Sequence, residues 1–179
     1  ATADFGRSAA LYRDIAAVGA PYESDFIDGL GAVYVFQANR GGSNNWGQVQ
    51  RLKVPGIDVP YLGWSVALWG DVLAVGAVGD DAGAPNSGAV YLFERNRGGA
   101  DHWGLIKKVK PPTPQDDAYF GWSVALRGDR LVVGEPRRDD DFADQGRAFV
   151  FERNQDGADQ WGFVTRIDPP TPQLQAWFG

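Results

Sequence analysis

The chain has 179 residues, a formal net charge of −6, 24 Gly, 11 Pro and no Cys. Its acidity argues against nucleic acid, whose phosphates call for stripes of Lys and Arg. The absence of cysteine excludes disulfides, zinc thiolate sites and cysteine nucleophiles, and leaves the redox compartment open. No apolar run approaches the roughly 18 residues of a membrane-spanning helix, and no basic amphipathic stretch suits a membrane surface. The chain opens Ala1-Thr2-Ala3-Asp4 rather than with Met and has no signal-like apolar segment. The expectation is a trimmed chain or a piece of a longer one.

The predicted elements come three times. The first unit starts "FGRSAALYRDIAAVGAP" at Phe5, the second "LGWSVALWGDVLAVGAV" at Leu62, the third "FGWSVALRGDRLVVGEP" at Phe120. Each continues through "GAVYVFQAN" (Gly31), "GAVYLFERN" (Gly88) or "GRAFVFERN" (Gly146), then a Trp-Gly pair at Trp46, Trp103 and Trp161. Such self-similarity at a fixed period marks a repeat architecture. Each unit predicts four strands. The first is "SVAL" (65–68, 123–126), and a two-residue turn leads to "VLAVGA" or "RLVVGE". A polar loop precedes "AVYLFER", and a Gly-rich turn precedes "LIKKVK" or "FVTRID". Val, Tyr, Phe and Leu alternating with near period 2 fit strands. The connector "PPTPQ" (111–115, 169–173) lacks ladder donors and separates sheets.

The early strands are small or apolar on both faces: in "GWSVALRG" Trp122, Val124 and Leu126 alternate with Ser123 and Ala125. Sheets stacked on a neighbour at each face meet that pattern, as β-propeller blades do. The predicted fold is therefore all-β: three four-stranded antiparallel repeats of about 58 residues, a partial propeller or open array unless other chains or a longer parent complete it. The boundaries are a single repeat domain over 1–179, with blades at about 5–61, 62–119 and 120–177 and a further repeat starting at 178–179.

The Phe5-Gly6, Leu62-Gly63 and Phe120-Gly121 pairs, with Gly19-Ala20-Pro21, Gly76-Ala77-Val78 and Gly134-Glu135-Pro136, resemble the FG-GAP repeat. That resemblance implies the propeller fold of integrin α subunits and of many bacterial secreted or surface proteins, and an extracellular or cell-surface setting. Integrin-type repeats often place an Asp-rich calcium loop between the first two strands. Here that connection is only "RD", "GD" and "GD", too short for five or more oxygen ligands. The chain resembles the shorter, calcium-free bacterial variant, and no cofactor is expected.

Arg127-Gly128-Asp129 spells a cell-adhesion ligand. Its equivalents are Tyr12-Arg13-Asp14 and Trp69-Gly70-Asp71, so the third copy of a hairpin turn explains Gly128 and Asp129. Arg127 alone is left over. Glu94 and Glu152 mimic a carboxylate pair, but both sit in the repeated "FERN" and read as structural. Trp46, Trp103 and Trp161 could stack on sugars; their recurrence favours packing between blades. His102 is the only histidine, and no nucleophile–base pair, metal-ligand spacing or cofactor motif surrounds it.

The variable loops 22–31, 79–88 and 137–146 carry the functional expectation. Binding-loop candidates are Asp80, Asp81, Asp139, Asp140 and Asp141, with Trp69 and Arg127. Asp139, Asp141 and Asp144 are the weak candidates for a calcium ion. Phe5, Gly6, Gly63, Phe120 and Gly121 read as structural repeat residues.

Three blades cannot close a ring, so both end faces need partners. These are further blades of a longer chain, or identical chains in a ring or head-to-tail filament. The expected function is a non-enzymatic extracellular scaffold for self-assembly, adhesion or protein recognition. The alternative is a lectin-like carbohydrate-binding module using Trp69 and Asp140. Nucleic acid and membrane insertion are not expected.

Overall fold

The structure, a computed structural model, describes residues 3–24, 30–54 and 59–179. Residues 25–29 of the first variable loop and residues 55–58, within the first predicted blade, lie outside the described residues. The described chain contains twelve strands and no helix. They form three four-stranded sheets, each an antiparallel meander in sequence order.

Sheet 1 comprises β1 (Ser8–Tyr12), β2 (Ile15–Ala20), β3 (Ala32–Ala38) and β4 (Trp46–Leu52). Sheet 2 comprises β5 (Leu62–Trp69), β6 (Val72–Ala77), β7 (Ala89–Arg95) and β8 (Trp103–Val109). Sheet 3 comprises β9 (Ser123–Arg127), β10 (Arg130–Glu135), β11 (Arg147–Glu152) and β12 (Gly162–Ile167). The register shifts at the same place in each: Val35/Phe36, Leu92/Phe93 and Val150/Phe151. The fourth strands begin earlier than expected, at Trp103 and Gly162, because Trp103 is in register with Arg95 and Gly162 with Glu152.

The sheets stack as partial propeller blades, and period-2 alternation decides what each face meets. Val33 and Val35 of sheet 1 pack against Leu73, Val75, Tyr91 and Phe93 of sheet 2. On the other face of sheet 2, Val72, Ala74, Val90 and Leu92 pack against Leu131, Val133, Phe149 and Phe151 of sheet 3. Sheet 2 is thus covered on both sides, and every residue of β6 is buried. β9, with sheet 3's outer face unpaired, alternates exposed and half-buried.

A repeated backbone latch sets the spacing of the sheets. Leu62-Gly63, Phe120-Gly121 and Phe178-Gly179 are laid across the preceding sheet through a parallel bridge: Gly31 with Leu62, Gly88 with Phe120, Gly146 with Phe178. A serine of each first strand donates to the carbonyl of the incoming glycine. Ser8 Oγ reaches Gly63 O at 2.9 Å, Ser65 Oγ reaches Gly121 O at 2.7 Å, and Ser123 Oγ reaches Gly179 O at 3.1 Å. Underneath lies the glycine of the second strand. A Cβ on Gly19 would stand 2.0 Å from Gly63 O, and one on Gly76 2.1 Å from Gly121 O. A side chain there has nowhere to go, since the obstacle is backbone.

Gly76→Ala is therefore expected to destabilise the fold by about 2–4 kcal/mol, through overpacking against backbone and loss of the Ser65 bond. Gly70→Ala is the contrast. No atom lies within 4 Å of its Cβ position, so its cost is the positive φ alone, about 1 kcal/mol. Urea midpoints of the two variants measure the difference.

Candidate functional site

The meander places the connections on two opposite edges. Turns between first and second strands share one edge with the third-to-fourth hairpins. Loops between second and third strands share the other edge with the inter-sheet connectors.

On the turn edge, Arg13, Gly70 and Gly128 adopt the same backbone, with φ of 53°, 59° and 58°. The carbonyl of the following Asp accepts a bond from the end of the third strand in every copy: Asp14 from Ala38, Asp71 from Arg95, Asp129 from Arg153. Arg127, Gly128 and Asp129 are all exposed. Arg127 has a structural use: its guanidinium lies 5.9 Å from the Trp69 ring centroid, and Trp69 in turn packs on Tyr12 at 5.2 Å. Three equivalent positions thus form one ladder across the sheets, with a cation–π contact at its end. Cell attachment, measured on surfaces coated with the protein, is expected to be equal for the native chain and Asp129→Glu; attachment lost only in the variant would make the turn a ligand.

On the loop edge, Asp81 and Asp139 close the loops from within. Asp81 Oδ1 accepts from Asn86 N at 2.8 Å, and Asp139 Oδ1 from Asp144 N at 2.7 Å. Asp80 is buried, which removes it from the set of accessible loop acids. It accepts from Lys108 Nζ at 2.6 Å and Tyr91 Oη at 2.5 Å. Burial, then the bond to Asp80, pushes the Tyr91 hydroxyl well above its usual pKa. In sheet 1 Glu23 pairs with Arg51 in the same manner. Among the described residues, no three His, Cys, Asp or Glu side chains are grouped to hold a metal ion, Asp139, Asp141 and Asp144 included.

Sheet 3 breaks this pattern. Arg138 stands where Asp80 and Glu23 stand, and Glu135 replaces Ala20 and Ala77. Its cross-strand partner Arg147 replaces Ala32 and Ala89. Glu135 is fully buried, and neither carboxyl oxygen has a hydrogen-bond partner. Arg138 is 3.9 Å away. Arg147 pairs with Asp140, and at 3.5 Å with Asp168. Asp168 also takes Arg166 Nε at 2.9 Å, and Arg138 Nε lies 3.7 Å from Asp140. Beside this network opens a cleft of about 360 Å³, walled by Asp140, Asp141, Gln145, Arg147, Arg166 and Asp168.

The remaining sequence candidates are dispersed. Trp103 and Trp161 are buried between sheets, which closes their faces to sugars, whereas Trp46 is 44% exposed. Glu94 bonds Arg153 of the next sheet at 2.9 Å, and Glu152 faces Arg130 at 3.5 Å. His102 Nδ1 sits 3.1 Å from Arg97 O in its own hairpin. Trp69 and Asp140 occupy opposite edges, so the two do not line one site. Sequence reasoning missed Glu135, Gln145, Arg147, Arg166 and Asp168. The available signal was the loss of Ala at two strand positions where the other copies keep it.

The FG-GAP repeat profile matches residues 1–36, 56–93 and 103–151. This chain belongs to the FG-GAP repeat family. Repeats of this kind form β-propeller-like protein-interaction modules, are a non-catalytic scaffold type and occur in extracellular proteins. No curated protein matches the chain. No described helix is long and apolar enough to cross a membrane.

Burial pushes the Glu135 carboxyl up to about 8, against the lowering pull of Arg138 and Arg147. The folded chain therefore keeps a proton that the unfolded chain releases near pH 4.5. The contribution of this group to stability is complete below about pH 4.5 and declines as pH rises towards 8, by about 1.4 kcal/mol per unit at most. Glu135→Gln is expected to flatten that part of the pH–stability curve, read from urea midpoints between pH 5 and 8.

Proposed function

We propose that the chain is a non-enzymatic scaffold that assembles blade on blade and acts outside the cell or at its surface, in adhesion or protein recognition. The observation that carries this reading is the third latch. Phe178 and Gly179 lie on sheet 3 as Leu62 and Gly63 lie on sheet 1 and as Phe120 and Gly121 lie on sheet 2. Sheet 3 thus already holds the first two residues of a blade, and its outer face of Ser123, Ala125, Val132 and Val150 repeats the face that sheet 2 buries with Ser65, Ala67, Ala74 and Leu92.

The opposite end is complementary. The outer face of sheet 1 carries Leu11, Val18, Tyr34 and Phe36, and Leu11 is 66% exposed. Phe5 leans on Tyr34 and Phe36 with centroids 5.4 and 6.3 Å away, as Phe120 leans on Phe149 and Phe151. Phe120 is fully buried, and Phe5 is 56% exposed. Exposed apolar faces of this kind mark interaction surfaces. The partner that fits both is another blade of the same type, in this chain's continuation or in a second copy.

Light scattering across a dilution series tests the reading. The expected result is a mass above the 19.4 kDa of one chain, either a discrete multiple or a concentration-dependent distribution, with Leu11→Asp shifting it towards the monomer. A monomer at every concentration overturns it.

A further inference from the structure

We propose that the cleft on the loop edge of sheet 3 is a binding site for a neutral saccharide. The proposal is independent of blade assembly. It begins from what sheet 3 does not share with its neighbours. Asp140, Asp141, Gln145, Arg147 and Asp168 stand where sheet 2 has Ala82, Gly83, Ser87, Ala89 and Lys110. There the corner is closed: a Cβ on Gly83 would lie 2.7 Å from Pro114, and Ala82 is buried in the core between sheets 1 and 2. Requirements of the fold act on all three copies alike, so they do not account for Asp141 and Arg147, which put charges where both other copies have none, or for Asp168, which reverses the charge of Lys53 and Lys110, all around one opening in one copy.

The second observation is Gln145. Its side chain is part of the cleft wall, yet the residue is only 3% exposed and Oε1 has no hydrogen-bond partner. A buried acceptor without a donor is costly, and a hydroxyl in the cleft supplies that donor when the Gln145 carboxamide turns its buried oxygen towards it. Arg147, 4% exposed, places donors in the same wall, and Asp140 and Asp168 place acceptors.

Charge selects the ligand class. Asp140 is shared by Arg138 and Arg147, and Asp168 by Arg147 and Arg166. Asp141 apart, every charged side chain of the wall is already in an ion pair, so a small ion gains a second partner only by competing with one. A polyol has no such conflict. Each hydroxyl donates and accepts at once, and so meets carboxylate, guanidinium and amide in turn. The cleft lies within the size range of small-molecule sites. Phe142 follows Asp141 on the same loop and is 47% exposed.

The test is an array of neutral mono- and oligosaccharides, followed by titration of the bound sugars into the protein with amide resonances observed. Saturable binding is expected, with shifts at the Gln145 side-chain amide. Asp141→Ala, an exposed position, and Gln145→Leu, which removes the unpaired acceptor at similar size, are each expected to weaken binding tenfold or more. Trp69→Ala, on the opposite edge, leaves it unchanged. Amide spectra of the variants confirm that they are folded, and the Asp141 variant keeps the test open if the buried one is not. A blank array, binding that survives both loop-edge substitutions, or saturable binding of butylguanidinium or acetate in place of sugar overturns the proposal.

Discussion

Two glycine backbones in contact hold this architecture together. The glycine of the second strand lies under the glycine that opens the next repeat, and a serine hydroxyl ties the incoming carbonyl down. Because both partners lack a side chain, adjacent sheets converge along the first strands, where the backbones touch. Larger residues then fill the space beyond: Leu73, Tyr91 and Phe93 on one side of sheet 2, Phe149 and Phe151 of sheet 3 on its other side. The Phe-Gly signature and the Gly-Ala-Pro signature are therefore the two halves of one contact. Its tolerance also follows. Ala20 and Pro21 of the second half can become Ala77 and Val78, or Glu135 and Pro136, while Gly19, Gly76 and Gly134 keep the close approach.

Sheet 3 shows how a repeat departs from its own rule. In sheets 1 and 2 the loop-edge corner is occupied by a carboxylate paired to a cation of the fourth strand, Glu23 with Arg51 and Asp80 with Lys108. In sheet 3 the carboxylate moves inward to Glu135, arginines occupy 138 and 147, and the balancing acids shift to 140 and 168. The result is a network of five charged side chains beside a Glu135 that burial keeps protonated, and a cleft, in place of one pair. Stability is lost at Glu135, where both carboxyl oxygens are buried without hydrogen bonds. A specialised site on an otherwise repetitive frame is where such a local cost is expected.

Much of the fold was legible because repetition reports it three times. Strand identity, the two-residue turns and the opening of a fourth unit at Phe178 all follow from superposing the copies. The Arg127-Gly128-Asp129 turn was legible for the same reason, since Arg13 and Gly70 hold the same backbone. The site was less legible because attention to loops misses strands. Asp139 and Asp81 looked like loop acids free to bind, yet each spends an oxygen on its own loop's backbone. Arg147 and Glu135 are strand residues, yet Arg147 walls the corner and Glu135 lies buried beside it. Trp69 and Asp140 invited a common site that the meander forbids.

By itself the sequence determined three repeats of four strands each and the hairpin turns between their first two strands, because period-2 alternation and a 57–58-residue offset are properties of the string of residues. It also determined which residues break the repeat. Only the tertiary structure decided what those breaks do. Burial of Asp80, exposure of Trp46 and Phe5, and the gathering of Gln145, Arg147 and Asp168 around one opening depend on which sheet lies beside which and on which edge each loop falls. Those are distances between residues far apart in the chain, and they arise when backbones pack.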